Sequence, residues 1–221
     1  ECGGTRNTGF TLDLGDKFNT SNVTNMTRMF SQCGYSSTVF TLDLGSQFNT
    51  SNATNMLTMF LECGYSSPVF TLDLGDKFNT SNVTDMQLMF GDCGYSSQVF
   101  TLDLGDKFDT SKVTNMYRMF DECGYNSTAF TTLDLSSFNV QADADISYMA
   151  RDIPVTTFIF GEGWANATLS TSGVFYTANE TDTTIVGATE NLLNYDWASD
   201  NRNIGGSKPK TYPVTANAET G

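Results

Sequence analysis

Apolar positions along the first two thirds of the chain alternate between two spacings. Phe40, Leu42 and Leu44 alternate with Thr41 and Asp43, the period-2 pattern of a short strand with one buried face. Gly45 ends it. Further on, Val83, Met86, Met89 and Phe90 recur three and four residues apart, which predicts one short helix per copy near TDMQLMF. Thr or Ser upstream supplies a cap for its start, and Gly34, Gly64, Gly94 and Gly124 stand where a left-handed residue would end it.

This strand–turn–helix–loop unit is repeated. Segments 31–60, 61–90 and 91–120 align without a gap, residues 1–30 form a first copy with an altered start, and 121–150 form a decaying fifth. The fifth copy reads FTTLDLSSF where the others read FTLDLG, and a sixth strand is expected at Thr157-Phe158-Ile159-Phe160. One 30-residue unit cannot bury both of its faces, so the copies must stack. The expected fold is an α/β repeat solenoid of the leucine-rich-repeat kind. A parallel sheet lies on one side and helices on the other, with coils about 4.8 Å apart at the sheet. Its core columns are Leu12/Leu42/Leu72/Leu102, Phe18/Phe48/Phe78/Phe108/Phe138, Met26/Met56/Met86/Met116 and Phe30/Phe60/Phe90/Phe120.

The chain divides into a solenoid of five repeats, residues 1–150, and a C-terminal capping region and tail, residues 151–221. In the second part the spacing is lost and Trp164 and Trp197 appear. Short β-like runs are expected there at Gly173-Val174-Phe175-Tyr176 and Thr184-Ile185-Val186.

The string LDLG-x-x-F-[ND]-T-S-x-[VA]-T-[ND]-M-x-x-M-F-x-x-C resembles the repeats of BspA-like leucine-rich-repeat surface proteins over roughly residues 1–150. The copies here are longer, with extra residues around GDK and GYSS. The resemblance implies a secreted or surface-anchored protein that serves adhesion or host-protein binding.

Composition narrows the chemistry. The net charge is −14 and there is no histidine. Such a chain is repelled by phosphate backbones and anionic membranes, so nucleic acid is excluded as an expected partner, and no apolar run reaches the length of a membrane span. A Ser/His or Cys/His pair is impossible, and aspartates repeated equally in every copy do not make a singular catalytic pair. The chain is therefore expected not to be an enzyme. It starts Glu1-Cys2-Gly3-Gly4 without Met or a signal peptide, as a processed or excised fragment does.

The residues left for function are the outward ones. Asp13, Asp43, Asp73, Asp103 and Asp134 lie between inward leucines, beside Thr11, Thr41, Thr71 and Thr101. This face is the candidate surface for an extracellular protein or glycan. Carboxylates about 5 Å apart repel by about 0.8 kcal/mol in water, more in a drier setting. Lys17, Lys77, Lys107, the Thr hydroxyls, or calcium at Asp43, Asp73 and Asp103 are candidates to offset this; no other cofactor is implied. Cys2, Cys33, Cys63, Cys93 and Cys123 share one column, readable as buried thiols or as partial disulfides such as Cys2–Cys33, but not as a zinc site. Sequons at Asn22, Asn52, Asn82, Asn126, Asn166 and Asn179 are glycosylation candidates in a secreted protein. The rival to a binding module is a structural subunit that assembles with itself through the solenoid ends into an extracellular filament.

Overall fold

The computed structural model describes residues 9–75, 77–169, 173–175 and 183–195, and the backbone of 210–213. Eight short strands follow one another: β1 (Phe10–Asp13), β2 (Phe40–Asp43), β3 (Val69–Asp73), β4 (Val99–Asp103), β5 (Thr132–Leu135), β6 (Thr157–Phe160), β7 (Thr184–Ala188) and β8 (Lys210–Pro213). All paired strands are parallel, and the register repeats the sequence: Phe10 pairs with Phe40, and Leu72 with Leu102. The alternation of Phe and Leu with Thr and Asp is the cause, because a one-residue slip would turn every apolar side chain to water. β6 stands where the sequence places it, and β7 continues the same sheet from β5 and β6. The 173–175 segment is a turn, not the start of a strand.

The predicted helices are absent. The chain is a β-solenoid of about six turns, and the only helical pieces among the described residues are a 3₁₀ turn at Glu162–Trp164 and a single turn at Glu190–Leu193. Where each helix was expected, the backbone instead makes a run of tight turns whose amides point alternately inward and onward. Met29, Ser31, Cys33 and Tyr35 donate three residues back within the coil, to Met26, Arg28, Phe30 and Gln32. Between them Met26, Arg28, Phe30 and Gln32 donate to the carbonyls of Asn55, Leu57, Met59 and Leu61 in the next coil, at 2.8–3.1 Å. A helix would keep all of these bonds to itself. Left-handed residues make the alternation possible: Arg28, Gln32, Thr58, Glu62, Leu88, Asp92, Arg118, Glu122, Tyr148 and Asp152 all have φ between +52° and +60°. Thr54, Thr84 and Thr114 cap nothing; their amides reach back to Thr24, Thr54 and Thr84 of the preceding coil.

Successive turns present side chains inward at the same three- and four-residue intervals as a helix would. Met86, Met89, Phe90 and Cys93 are fully buried, as are their equivalents in the neighbouring coils. The Phe60, Phe90 and Phe120 rings stack face to face at 5.6 and 5.3 Å. Phe48, Phe78, Phe108 and Phe138 are buried in a second row, while Phe18 at its head is exposed. Trp164 takes the place of the next phenylalanine, stacked on Phe138 at 6.3 Å with its indole N–H donating to Leu135.

Polar corners turn the chain between these rows. In each of the first four coils, three Asp or Asn side chains accept the amide two residues on. The first coil uses Asp13 for Gly15, Asn19 for Ser21 and Asn25 for Thr27, at 2.7–2.9 Å. These Asx turns need only a side-chain oxygen. That is why Asp85 and Asp109 serve in corners where other coils carry Asn. Buried threonines then bind coil to coil: the Thr80 hydroxyl donates to the Asp109 carbonyl at 2.7 Å and accepts the Asp109 amide at 2.6 Å.

Candidate functional site

The strand alternation places Thr11, Thr41, Thr71 and Thr101, with Asp13, Asp43, Asp73, Asp103 and Asp134, on the outer face of the sheet, all exposed. Val39, Val69 and Val99 form a third outward row, 43–58% exposed, which sequence reading missed. Thr101 donates to the Thr71 hydroxyl at 2.9 Å, so the threonine row is joined across β3 and β4. Beyond Asp134 the aspartate row changes character, because Ile159 of β6 and Val186 of β7 take its next places.

Each aspartate of the row has a local task that the sequence did not suggest. Its Oδ1 accepts the amide at the start of the following turn: Gly45 for Asp43, Gly75 for Asp73, Gly105 for Asp103 and Ser136 for Asp134, at 2.8–2.9 Å. One carboxylate lobe is thus spent on the turn. Lysine does not offset the row. Lys77 donates to the Ser46 carbonyl, and among the described residues every ion pair is made by Arg118 or Arg151. Calcium at Asp43, Asp73 and Asp103 would need a convergent set of oxygens, and among the described residues no three acidic or cysteine side chains come together to hold a metal.

Cys33, Cys63, Cys93 and Cys123 are buried in one column, and Cys63, Cys93 and Cys123 are free thiols. Burial pushes the Cys63 and Cys93 thiols well up, with neighbouring thiols adding to it, so they pack as small apolar groups. Cys2 lies outside the described residues. Among the sequons, Asn22, Asn52, Asn82, Asn126 and Asn166 are exposed, and Asn179 lies outside the described residues. The Nδ2 atoms of Asn52 and Asn82, the atoms a glycan would join, donate to the Ser21 and Ser51 carbonyls of the preceding coils at 2.6 and 2.9 Å.

A second surface lies along the run of turns. Tyr35, Tyr65, Tyr95 and Tyr125 stack at 4.7, 4.8 and 5.0 Å between centroids, nearly parallel. Their 30-residue spacing was visible in the GYSS and GYNS strings, but a loop tyrosine gives no sign that it will stack. Beside them runs the left-handed column Glu62, Asp92, Glu122 and Asp152. Burial, then repulsion from Glu122, Asp121 and Glu62, pushes the Asp92 carboxyl up to about 6, against the pull of Arg151. Burial and the flanking Tyr35 and Tyr95 push Tyr65 up to about 12. Arg151 closes one end of this edge, with Nε 2.5 Å from Asp121 and Nη2 3.0 Å from Glu122. Burial still holds Asp121 above the usual carboxylate range despite that partner.

Asp92 gives a pH dependence whose sign is fixed. Its carboxyl binds a proton more tightly in the folded chain, near 6 against an ordinary 3.8, so its contribution is complete below about pH 4 and is lost as pH rises through 6. Asp92→Asn removes the charge and keeps a residue type that tolerates φ near +52°. With solvent screening the gain at pH 7 is about 1 kcal/mol, or roughly 2–4 °C in Tm, and it vanishes near pH 4. Thermal melts of both proteins at the two pH values check this; an equal Tm difference at both would contradict it.

Two overlapping matches to the family model described as "Mycoplasma protein of unknown function, DUF285" span residues 5–100 and 67–185. No curated protein and no solved structure matches the chain. Together the two matches run from before β1 to the first residues of β7, well over half of the chain, so the chain is a repeat solenoid of the DUF285 family.

Proposed function

We propose that this chain is a non-enzymatic binding module of a secreted or cell-surface protein, of the BspA-like kind, that engages an extracellular protein or glycan through the outer face of its sheet. The observation that carries the reading is the exposed array itself. Thr and Asp recur once per coil on β1–β4, and Val on or beside β2–β4, offering apolar, hydroxyl and carboxylate groups that repeat along the face. An extended partner can meet the same three groups coil after coil, so weak contacts add. The family match supports the reading, since BspA-like proteins carry this repeat. The described part has no helix long and apolar enough to cross a membrane.

The test is a binding screen of the purified chain against glycans and extracellular matrix proteins. Thr41→Lys, Thr71→Lys and Thr101→Lys, combined, keep the fold because those side chains point to solvent. They should abolish any specific binding. Binding that survives this triple variant would remove the sheet face from the proposal. A second reading, end-to-end assembly, draws on β1 and β8 being edge strands of their sheets. Size-exclusion chromatography with electron microscopy separates the two: long fibres support assembly, and a monodisperse monomer rejects it.

A further inference from the structure

The sheet is not one ladder. β1 pairs with β2, β3 pairs with β4, and β5 to β8 form a third sheet, so the ladder is interrupted between β2 and β3 and between β4 and β5. At the closed seams Leu14 and Leu74 donate to the Asp43 and Asp103 carbonyls at 3.0 and 3.1 Å. Among the described residues the equivalent amides of Leu44 and Leu104 have no backbone partner across their seams. The glycines report the same alternation. A Cβ at Gly45 would meet the Gly15 carbonyl oxygen at 2.2 Å and one at Gly105 would meet that of Gly75 at 2.8 Å, whereas one at Gly75 would meet nothing within 4 Å.

Clefts line the outer face at both open seams, one of ≈ 500 Å³ between 41–48 and 73–77 and one of ≈ 400 Å³ between 102–106 and 130–137. A cleft of ≈ 470 Å³ also lies beside the closed seam at Asp73, Gly75, Asp103, Gly105 and Asp106, so it is the missing ladder bonds, not the clefts, that distinguish the seams. A serine fills in for the missing carbonyl at each open seam. Phe40 donates to the Ser67 hydroxyl at 3.1 Å and Phe100 to that of Ser127 at 3.0 Å, where Phe10 at a closed seam donates to the Val39 carbonyl at 2.8 Å. On the opposite side nothing is interrupted. Across the open β2–β3 seam Met56, Thr58, Phe60 and Glu62 still donate to Asp85, Gln87, Met89 and Gly91 at 2.8–2.9 Å.

Each open seam coincides with a departure from the repeat. Pro68 stands where other copies have Thr38, Gln98 and Thr128. Gln98 donates its amide to Pro68 at 2.9 Å across the closed β3–β4 seam, and Thr128 donates to Gln98 at 3.0 Å even across the second open seam, so this bond is lost only at the first. Proline has no amide to give. At the second open seam the strand carries an extra threonine, FTTLDL for FTLDL, around Thr131 and Thr132.

We propose that these two seams are built-in hinges. The turn side acts as the continuous leaf, Pro68 and the extra threonine hold the sheet side apart, and Ser67 and Ser127 keep the freed phenylalanine amides satisfied. The solenoid then bends between plates that are each rigid, independently of what the outer face binds. Edges without ladder bonds open locally far more easily than paired ones.

Amide exchange by NMR on the whole chain tests the pattern. Leu44 and Leu104 should exchange about 100-fold faster than Leu14 and Leu74, a two-coil period in a one-coil sequence repeat. Pro68→Gln restores the residue of the neighbouring copy and should slow Leu44 without changing Leu104. Deleting Thr131 should slow Leu104 without changing Leu44. Four similar rates in the parent chain, or an unchanged Leu44 rate in folded Pro68→Gln, would overturn the proposal. Motion is read separately, from spin-label pairs at Thr41/Thr71 and Thr71/Thr101. The first should give the broader distance distribution, narrowing in Pro68→Gln. Equal widths would mean a fixed gap, not a hinge.

Discussion

Phe90→Ala lowers the stability of the chain by about 3–5 kcal/mol, among the largest losses expected from a single truncation in the repeats. Phe90 is fully buried, stacked between Phe60 and Phe120 at 5.6 and 5.3 Å and tilted against Phe108 at 6.3 Å. Its neighbours above and below are fixed by their own coils' hydrogen bonds, so the cavity cannot close by a local shift. Stability in a stacked array is a sum of coil and interface contributions, and Phe90 belongs to two interfaces at once. Urea unfolding gives the value. Val69→Ala, an exposed site in the same coil, is the control and should stay within about 0.5 kcal/mol. A Phe90→Ala loss of similar size to that control would mean that the ring row is loosely packed.

Gly94→Ala comes next, with an expected cost of about 2–4 kcal/mol from left-handed strain plus overpacking. Gly94 has φ +61°, and a Cβ there would sit 2.4 Å from the Phe100 ring. That ring is fully buried, in a row with Phe70 and Phe130, and has nowhere to go. The comparison that isolates the cause is Gly75→Ala, where φ is +67° but no atom lies within 4 Å. It should show the backbone part alone, about 1–2 kcal/mol. Equal losses at the two sites would remove ring crowding from the explanation.

The strand half of each coil was legible because its signal is unambiguous. Phe-Thr-Leu-Asp allows one facing, and identical copies allow one register. The other half was misread for a physical reason. A run of tight turns and an α-helix both bring side chains inward every three to four residues, so Met86, Met89 and Phe90 fit either. What separates them is the left-handed residue every fourth position, and Leu88, Asp92, Arg118 and Tyr148 carry no common chemistry that announces it. A weaker hint was present: Thr and Asn, poor helix formers, recur at the start of each segment, although the Met residues that follow suit a helix.

The candidate surface was half legible. The outward direction of Asp43 and Thr41 followed from the alternation. The use of Asp43 as a turn acceptor did not, although Asp-Leu-Gly, Asn-Thr-Ser and Asn-Met-x share one spacing from side-chain oxygen to amide. The tyrosine row was in plain sight, but a column becomes an offset stack only when the coils hold the rings near-parallel within about 5 Å of one another. Pro68 and the doubled Thr131-Thr132 were visible as irregularities, and only the backbone bonds show what each one interrupts.

The Asx corners have a bearing on how this protein ages. Slow loss of ammonia from an asparagine passes through a cyclic imide and leaves aspartate or isoaspartate, and in most folds the aspartate alone already plants a charge where an amide was needed. Here Asn25, Asn55 and Asn115 stand in a column with Asp85 and Asp145, all accepting through the same oxygen. Hydrolysis to aspartate at Asn25 and Asn55 therefore keeps the turn's acceptor and only deepens the negative charge, whereas Asn115 would also lose its donation to Gln87, and isoaspartate at any of the three would lengthen the backbone and break the turn; chemical wear divides into a silent electrophoretic shift and a damaging isomer.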